Sequence, residues 1–218
     1  VGLSRQRDLS GEVLTAARSL LGCVIRRGPV AVRITEVEAY DGPTDPAAHS
    51  HRGRTDRNWV MFGPAGHLYV YLNYGMHYAA NISAGPVDRG CGVLLRAGEV
   101  VDGIDLARQR RGPRVSDRDL ARGPGRLTQA LAITRADNGV DVLDAGSAVT
   151  VAAASPRVPA ALIRTGPRVG ITKAVDLPWR FWIADDPYVS DFRPGAVRSR
   201  RTAASTRQAG STRSASTG

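Results

Sequence analysis

"HLYVYLNYGMHYAANIS", residues 67–83, holds four of the six tyrosines in a chain that is only 6% aromatic. Side chains alternate across a strand with a period of two. His67, Tyr69, Tyr71 and Asn73 therefore share one face, and Leu68, Val70 and Leu72 share the other. The aliphatic face belongs in a core, and the aromatic face looks at water or a ligand. "NYGM" supplies the reversal, a two-residue turn with Gly75 at the position that needs positive φ. The stretch predicts a β-hairpin that protrudes, with Tyr74 projecting from its tip. Tyr69 and Tyr78 read as structural strand tyrosines. Tyr71 and Tyr74 read as a stacking platform and a wedge between bases.

The neighbouring segments extend this pattern. "DLSGEVLTAARSLLG" has helical spacing at Leu9, Val13, Ala16, Leu20 and Leu21, and Gly22 stops it. "CVIRR" and "VAVRITEVEAY" read as strands separated by the Gly28-Pro29 turn. Residues 41–66 form a long loop, which inside a compact domain is usually functional. "GCGVLLRAGEV" reads as a strand, "VDGIDLARQRR" and "RLTQALAI" as helices, and short strands continue as far as "RFWIAD". The expected fold is α+β: one domain over residues 1–194, with a mostly antiparallel, curved, barrel-like sheet flanked by helices. From residue 195 to 218 only small and polar residues and arginine occur. That basic tail cannot bury a core and is expected to be disordered.

Composition limits the function classes. The chain has 218 residues and a net charge of +10, and Lys173 is its only lysine. Six arginines lie at Arg193 and beyond with no acid among them, which leaves +4 of the +10 for the body. Arginine forks onto phosphate, so nucleic acid is one reading of this charge and a bias toward arginine is the other. Cys23 and Cys91 are far apart and form neither a disulfide framework nor a zinc pair. No apolar run reaches the length of a membrane span. The N-terminus is polar with no secretory core, so a cytoplasmic location, associated with the nucleoid through DNA, is expected.

On "VAVRITEVEAY", Val32, Ile34, Glu36, Glu38 and Tyr40 fall on one face by alternation. Two carboxylates about 6.5–7 Å apart beside apolar neighbours raise each other's proton affinity. This describes either a general base or a strand emerging into solvent. "AAHSHRGRTDRN" adds His49, His51, Arg52, Arg54 and Arg57. The HxH pair is a fragment of a metal site, and with His67, His77 and the two glutamates a metallohydrolase is conceivable. The arginines suit phosphates better. "GPGR", ending in Arg126, is either a phosphate seat at a helix start or a plain helix start.

Taken together, "EVEAYDGPTDPAAHS", "RTDRNWVMFGPAGHLYVYLNYGMHYAANIS", "GVLLRA", "GPGRLTQALAI" and "GPRVGI" resemble the alkyladenine (3-methyladenine) DNA glycosylases. The likeness runs from Leu9 to Phe192 with the motifs in the family's order. It implies a monofunctional enzyme, without metal or other cofactor, that acts as a monomer on duplex DNA containing damaged purines. Such an enzyme flips alkylated or deaminated purines out of the helix and hydrolyses the N-glycosidic bond, initiating base excision repair. By the same resemblance Glu38 activates water and Arg96 helps to hold that water. Tyr40 and Tyr71 stack on the extruded base, His49 closes the pocket, and Asn81 discourages guanine. Tyr74 is the intercalating wedge, and a backbone carbonyl near Val169 completes the water site. Arg54, Arg57 and Arg126 are the expected grips on the DNA backbone. Asp56 and Asn73 depart from the family pattern. A non-catalytic binder of damaged DNA is the competing class.

Overall fold

A computed structural model describes residues 8–73 and 75–195. The residues beyond 195, which carry most of the basic tail, lie outside them. The described chain folds into an α+β domain around one antiparallel sheet of eight strands. The strands are β1 (Val24–Arg27), β2 (Val30–Tyr40), β3 (Leu68–Asn73), β4 (His77–Ala84), β5 (Cys91–Asp102), β6 (Val149–Ala152), β7 (Ile163–Gly166) and β8 (Arg180–Ile183). The main path runs β3-β4-β5-β2-β1-β6. It is open, because its end strands do not pair with each other among the described residues.

β2 is the spine. β5 pairs with one of its edges along nearly its whole length. The other edge is shared: β1 pairs with Val30–Arg33, and β8 with Glu36–Glu38. An 11-residue strand paired on both edges has little solvent, and most of β2 is buried.

The helices whose full extent is described are α1 (Val13–Leu20), α2 (Ile104–Arg111) and α3 (Pro124–Leu131), and they pack on the sheet. Helix α1 is shorter than its spacing predicts, because the chain bends at Gly11 and is extended at Glu12. Val13, Ala16, Ala17 and Leu20 are its buried stripe. They pack in one core with Ile25, Val32, Ile34, Leu68, Val70, Ile82, Val93, Leu95 and Leu127. Burial stabilises each larger aliphatic side chain here by roughly 1.5–3 kcal/mol. A smaller cluster of Val60, Met61, Phe62 and Tyr69 lies apart from it.

The hairpin forms as read, with two corrections. Its last pair is Asn73 with His77, so the reversal takes three residues rather than two. Gly75 adopts the expected left-handed conformation at φ +69°. Leu68 and Val70 enter the core, but Leu72 is 47% exposed and lies outside the core cluster. Tyr74, the expected wedge, is outside the described residues.

Candidate active site

Two irregularities in the β2–β5 ladder create the site. Ile34 pairs with Gly98 and Glu36 with Ala97, leaving Thr35 as an extra residue on β2. Glu36 then pairs with Ala97 and Val37 with Leu95, leaving Arg96 as the extra residue on β5. A bulge breaks the alternation of its strand and re-aims the side chains beyond it. Val30, Val32 and Ile34 face the core, and beyond the bulge Val37 and Ala39 do so. Glu36, Glu38 and Tyr40 are thereby turned to the opposite face. The expectation that they share a face with Val32 and Ile34 is corrected accordingly: on a regular strand both carboxylates would point into hydrocarbon. Gly98 allows the close approach, since any Cβ there would strike the Arg33 carbonyl.

The face that bears Glu38 and Tyr40 lines a cavity of about 310 Å³. Strands β2, β3, β4 and β5 supply Glu38, Tyr40, Tyr69, Tyr71, Asn81 and Arg96. His49 and Met61 come from the long loop, Val169–Ile171 from the segment after β7, and Pro124 from the start of α3. The loop is held by its own buried polar residues. Asn58 donates to the His49 and Gly53 carbonyls at 3.1 Å each and accepts from the Thr55 N–H. His49 Nδ1 lies 3.2 Å from the Tyr69 hydroxyl, and its ring meets Tyr71 edge-on with centroids 4.5 Å apart. Burial, and secondarily the Arg57 charge, hold the His49 pKa below its ordinary value. The imidazole is therefore a neutral wall at neutral pH.

Glu38 is fully buried at the inner end of the cavity. Its Oε2 accepts from the Tyr40 hydroxyl at 2.9 Å, and its Oε1 from the Val169 N–H at 2.7 Å. Arg96 Nη1 stands 3.4 Å from Oε1. Burial pushes the Glu38 carboxyl above the ordinary range, and repulsion from Glu36 adds to that. Arg96, the Val169 N–H and the Tyr40 hydroxyl pull the other way. Burial and the Glu38 charge also raise the Tyr40 pKa, which keeps its hydroxyl a donor. The result is a carboxylate with a strong appetite for a proton in an aromatic chamber, which is the character of a general base.

Two supporting groups went unread in the sequence. Arg168 forms a fully buried pair with Asp45 and donates to the Ala39 carbonyl at 2.9 Å. Its guanidinium lies 4.6 Å from the Tyr40 ring centroid, backing that wall. Arg180 pairs with Glu36 at 3.0 Å. The "GPRVGI" motif contains Arg168, but its partner is 123 residues away, a distance no local pattern spans.

The remaining candidates divide by place. Tyr69 is more than a structural residue, because it lines the cavity while packing on Val60, Met61 and Phe62. Tyr78 packs against the main core. Asn81 is buried in the cavity wall, and its Nδ2 has no hydrogen-bond partner among the described residues. The Val169 N–H donates to Glu38. Arg57 is exposed at the rim, 5.8 Å from the Tyr71 ring centroid. Arg54 and Arg126 are exposed, and Arg126 is paired with Asp119 at 3.0 Å. The histidines do not converge. His51 and His67 turn to the Pro43 and Pro64 carbonyls, and no group of three metal-binding side chains occurs among the described residues.

Residues 7–187 match the family model described as "Methylpurine-DNA glycosylase (MPG)". A protein of Nocardia farcinica is 53% identical over 193 residues, covering 84% of this chain and 91% of its own length. One from Streptomyces avermitilis is 50% identical over 196 residues, covering 87% and 92%. One from Frankia casuarinae is 51% identical over 191 residues, covering 84% and 89%. All three carry the name "Putative 3-methyladenine DNA glycosylase".

Proposed function

The chain belongs to the methylpurine-DNA glycosylase family, and from that premise we propose that it removes alkylated and deaminated purines from duplex DNA by Glu38-directed hydrolysis. As a DNA glycosylase of base excision repair it is a hydrolase of N-glycosyl bonds. The observation that carries the finer reading is Glu38 itself, fully buried yet lining an aromatic cavity of about 310 Å³. That volume is at the lower end of ligand sites, about 300–1,000 Å³, and suits one base.

In this reading the damaged nucleotide leaves the helix at a cost of a few kcal/mol, least where pairing is already weak. Its base stacks against Tyr71 and Tyr40, with His49 at the edge. Bases made cationic by alkylation gain further from the tyrosine faces. Asn81 lines the cavity, and the sequence resemblance implies that it discourages guanine by crowding the exocyclic amine.

The transition state of glycosidic cleavage has oxocarbenium character. An ionised Glu38 serves it by taking a proton from attacking water and by opposing the positive charge on the sugar. A carboxylate oxygen has two lone pairs. Oε1 faces the Val169 N–H and Arg96, whereas among the described residues Oε2 accepts only from Tyr40, so Oε2 keeps a site for water. A lyase would need an amine nucleophile for a Schiff base. Lys173 borders the adjoining groove with His51 and Arg52, and among the described residues no amine lines the base cavity. In this reading the enzyme is monofunctional, and the sequence resemblance implies that it works as a monomer. Tyr74 as wedge and Arg54, Arg57 and Arg126 as phosphate grips complete the proposal on the strength of the sequence resemblance.

The test is base release from duplexes carrying 3-methyladenine, 7-methylguanine, hypoxanthine or ethenoadenine, with borohydride added to trap any covalent intermediate. Free base without strand cleavage or trapped protein is expected. A trapped complex would overturn the hydrolytic mechanism.

A further inference from the structure

Glu36 is fully buried, does not line the cavity, and still shares Arg96 with Glu38. Its Oε1 accepts from Arg180 Nη1 at 3.0 Å and lies 3.2 Å from Arg96 Nε. Its Oε2 accepts from the Ser190 N–H at 2.7 Å. Arg96 thus stands within ion-pair distance of both carboxylates, although its Nε makes no hydrogen bond among the described residues. Arg180 passes the connection on, because its Nε donates to the Pro167 carbonyl at 2.9 Å. Two residues later the Val169 N–H returns to Glu38. A closed circuit therefore runs from Glu36 through Arg180 and the turn at Pro167–Val169 to Glu38, and back through Arg96.

We propose that Glu36 is a positioning residue for base release, holding Arg96 and the Pro167–Val169 turn against Glu38 without touching the substrate. The inference rests on Glu38 being the residue that directs water. The bulge at Thr35 turns Glu36 away from the core, and a buried carboxylate persists only when several donors meet it. Here the donors are Arg180 and the Ser190 N–H, with Arg96 at ion-pair distance, and Arg180 and Arg96 lead on to Glu38.

The same geometry couples Glu36 to the titration of Glu38. The Glu36 charge repels that of Glu38 and occupies part of the attraction of Arg96. Glu36→Gln removes both effects, so Glu38 holds its proton less tightly. The other groups facing Glu38 stay in place: Tyr40 on β2, the Val169 N–H, Arg168 behind Tyr40, and His49, Tyr69 and Tyr71 around the cavity.

Single-turnover release of 3-methyladenine from duplex DNA, measured against pH in the full chain, tests this. In Glu36→Gln the acid limb moves to lower pH, and the plateau rate falls about ten-fold as alignment loosens. Lesion binding stays within about two-fold, because no group that touches the base has changed. Glu36→Asp keeps the charge and returns the limb toward its wild-type position. If Glu36→Gln does not fold, Glu36→Gln/Arg180→Met removes one charge of each sign, and its limb moves the same way. An acid limb that stays at the wild-type pH overturns the proposal, since an ion pair serving only the fold alters stability without touching Glu38. Wild-type release by Glu38→Gln would overturn the reading of Glu38 itself, and this inference with it.

Discussion

The Val169 N–H donates to Glu38 Oε1 over 2.7 Å, although the two residues are 131 positions apart. The bond joins the spine of the sheet to the segment after β7 and fixes one oxygen of the carboxylate. The Arg168–Asp45 pair beside it anchors the same segment, which makes that pair a sensitive point. Asp45→Ala leaves the Arg168 guanidinium buried without its partner, at a cost of about 3–5 kcal/mol. Urea unfolding midpoints measure this, and the loss is expected to exceed that from any exposed Arg→Gln change.

Acid should silence the enzyme without Glu38 burdening the fold. The proton affinity of Glu38 is raised in the native state, so its protonation favours folding. That contribution is fully present below the ordinary carboxylate range and is lost as pH rises through the folded value. Base release, by contrast, needs the ionised form and declines on acidification through the same value. Rates compared with circular dichroism over the acidic range should show activity falling, reversibly, while the native signal persists.

Tyr71→Ala removes one face of the chamber. Base–aromatic stacking contributes about 1–3 kcal/mol per base, so affinity for a lesion-bearing duplex should fall by about that amount. Affinity for undamaged duplex should change little. Titration of the two duplexes in parallel makes the comparison.

Arg57 stands exposed at the rim. If it grips phosphate, Arg57→Gln reduces the slope of log affinity against log salt by about 0.9. An unchanged slope would remove Arg57 from the DNA interface.

Much of this site was legible in the sequence, and the part that was not has a definite cause. Alternation in residues 67–73 correctly separated Leu68 and Val70 from Tyr69 and Tyr71, because β3 is a regular strand. It failed at Leu72, where the tip outruns the core that alternation presupposes. Along β2, alternation correctly paired Glu36, Glu38 and Tyr40 but put them on the face of Val32 and Ile34. The bulge at Thr35 depends on the register with β5, a property of two strands rather than one. Tyr69 was undervalued because a wall residue and a core residue look alike in a strand. Arg168, Asp45 and Arg180 act through partners more than a hundred residues away, beyond the reach of any motif.

The central claim is that Glu38 performs the chemistry of base release. Its most direct test is single-turnover release of 3-methyladenine by Glu38→Gln, with binding to the same duplex measured alongside. Gln is nearly isosteric, so the pocket and the lesion affinity should persist. General-base catalysis contributes about 10²–10⁴-fold, and release should slow by at least the lower figure. Wild-type release with wild-type binding would contradict the account.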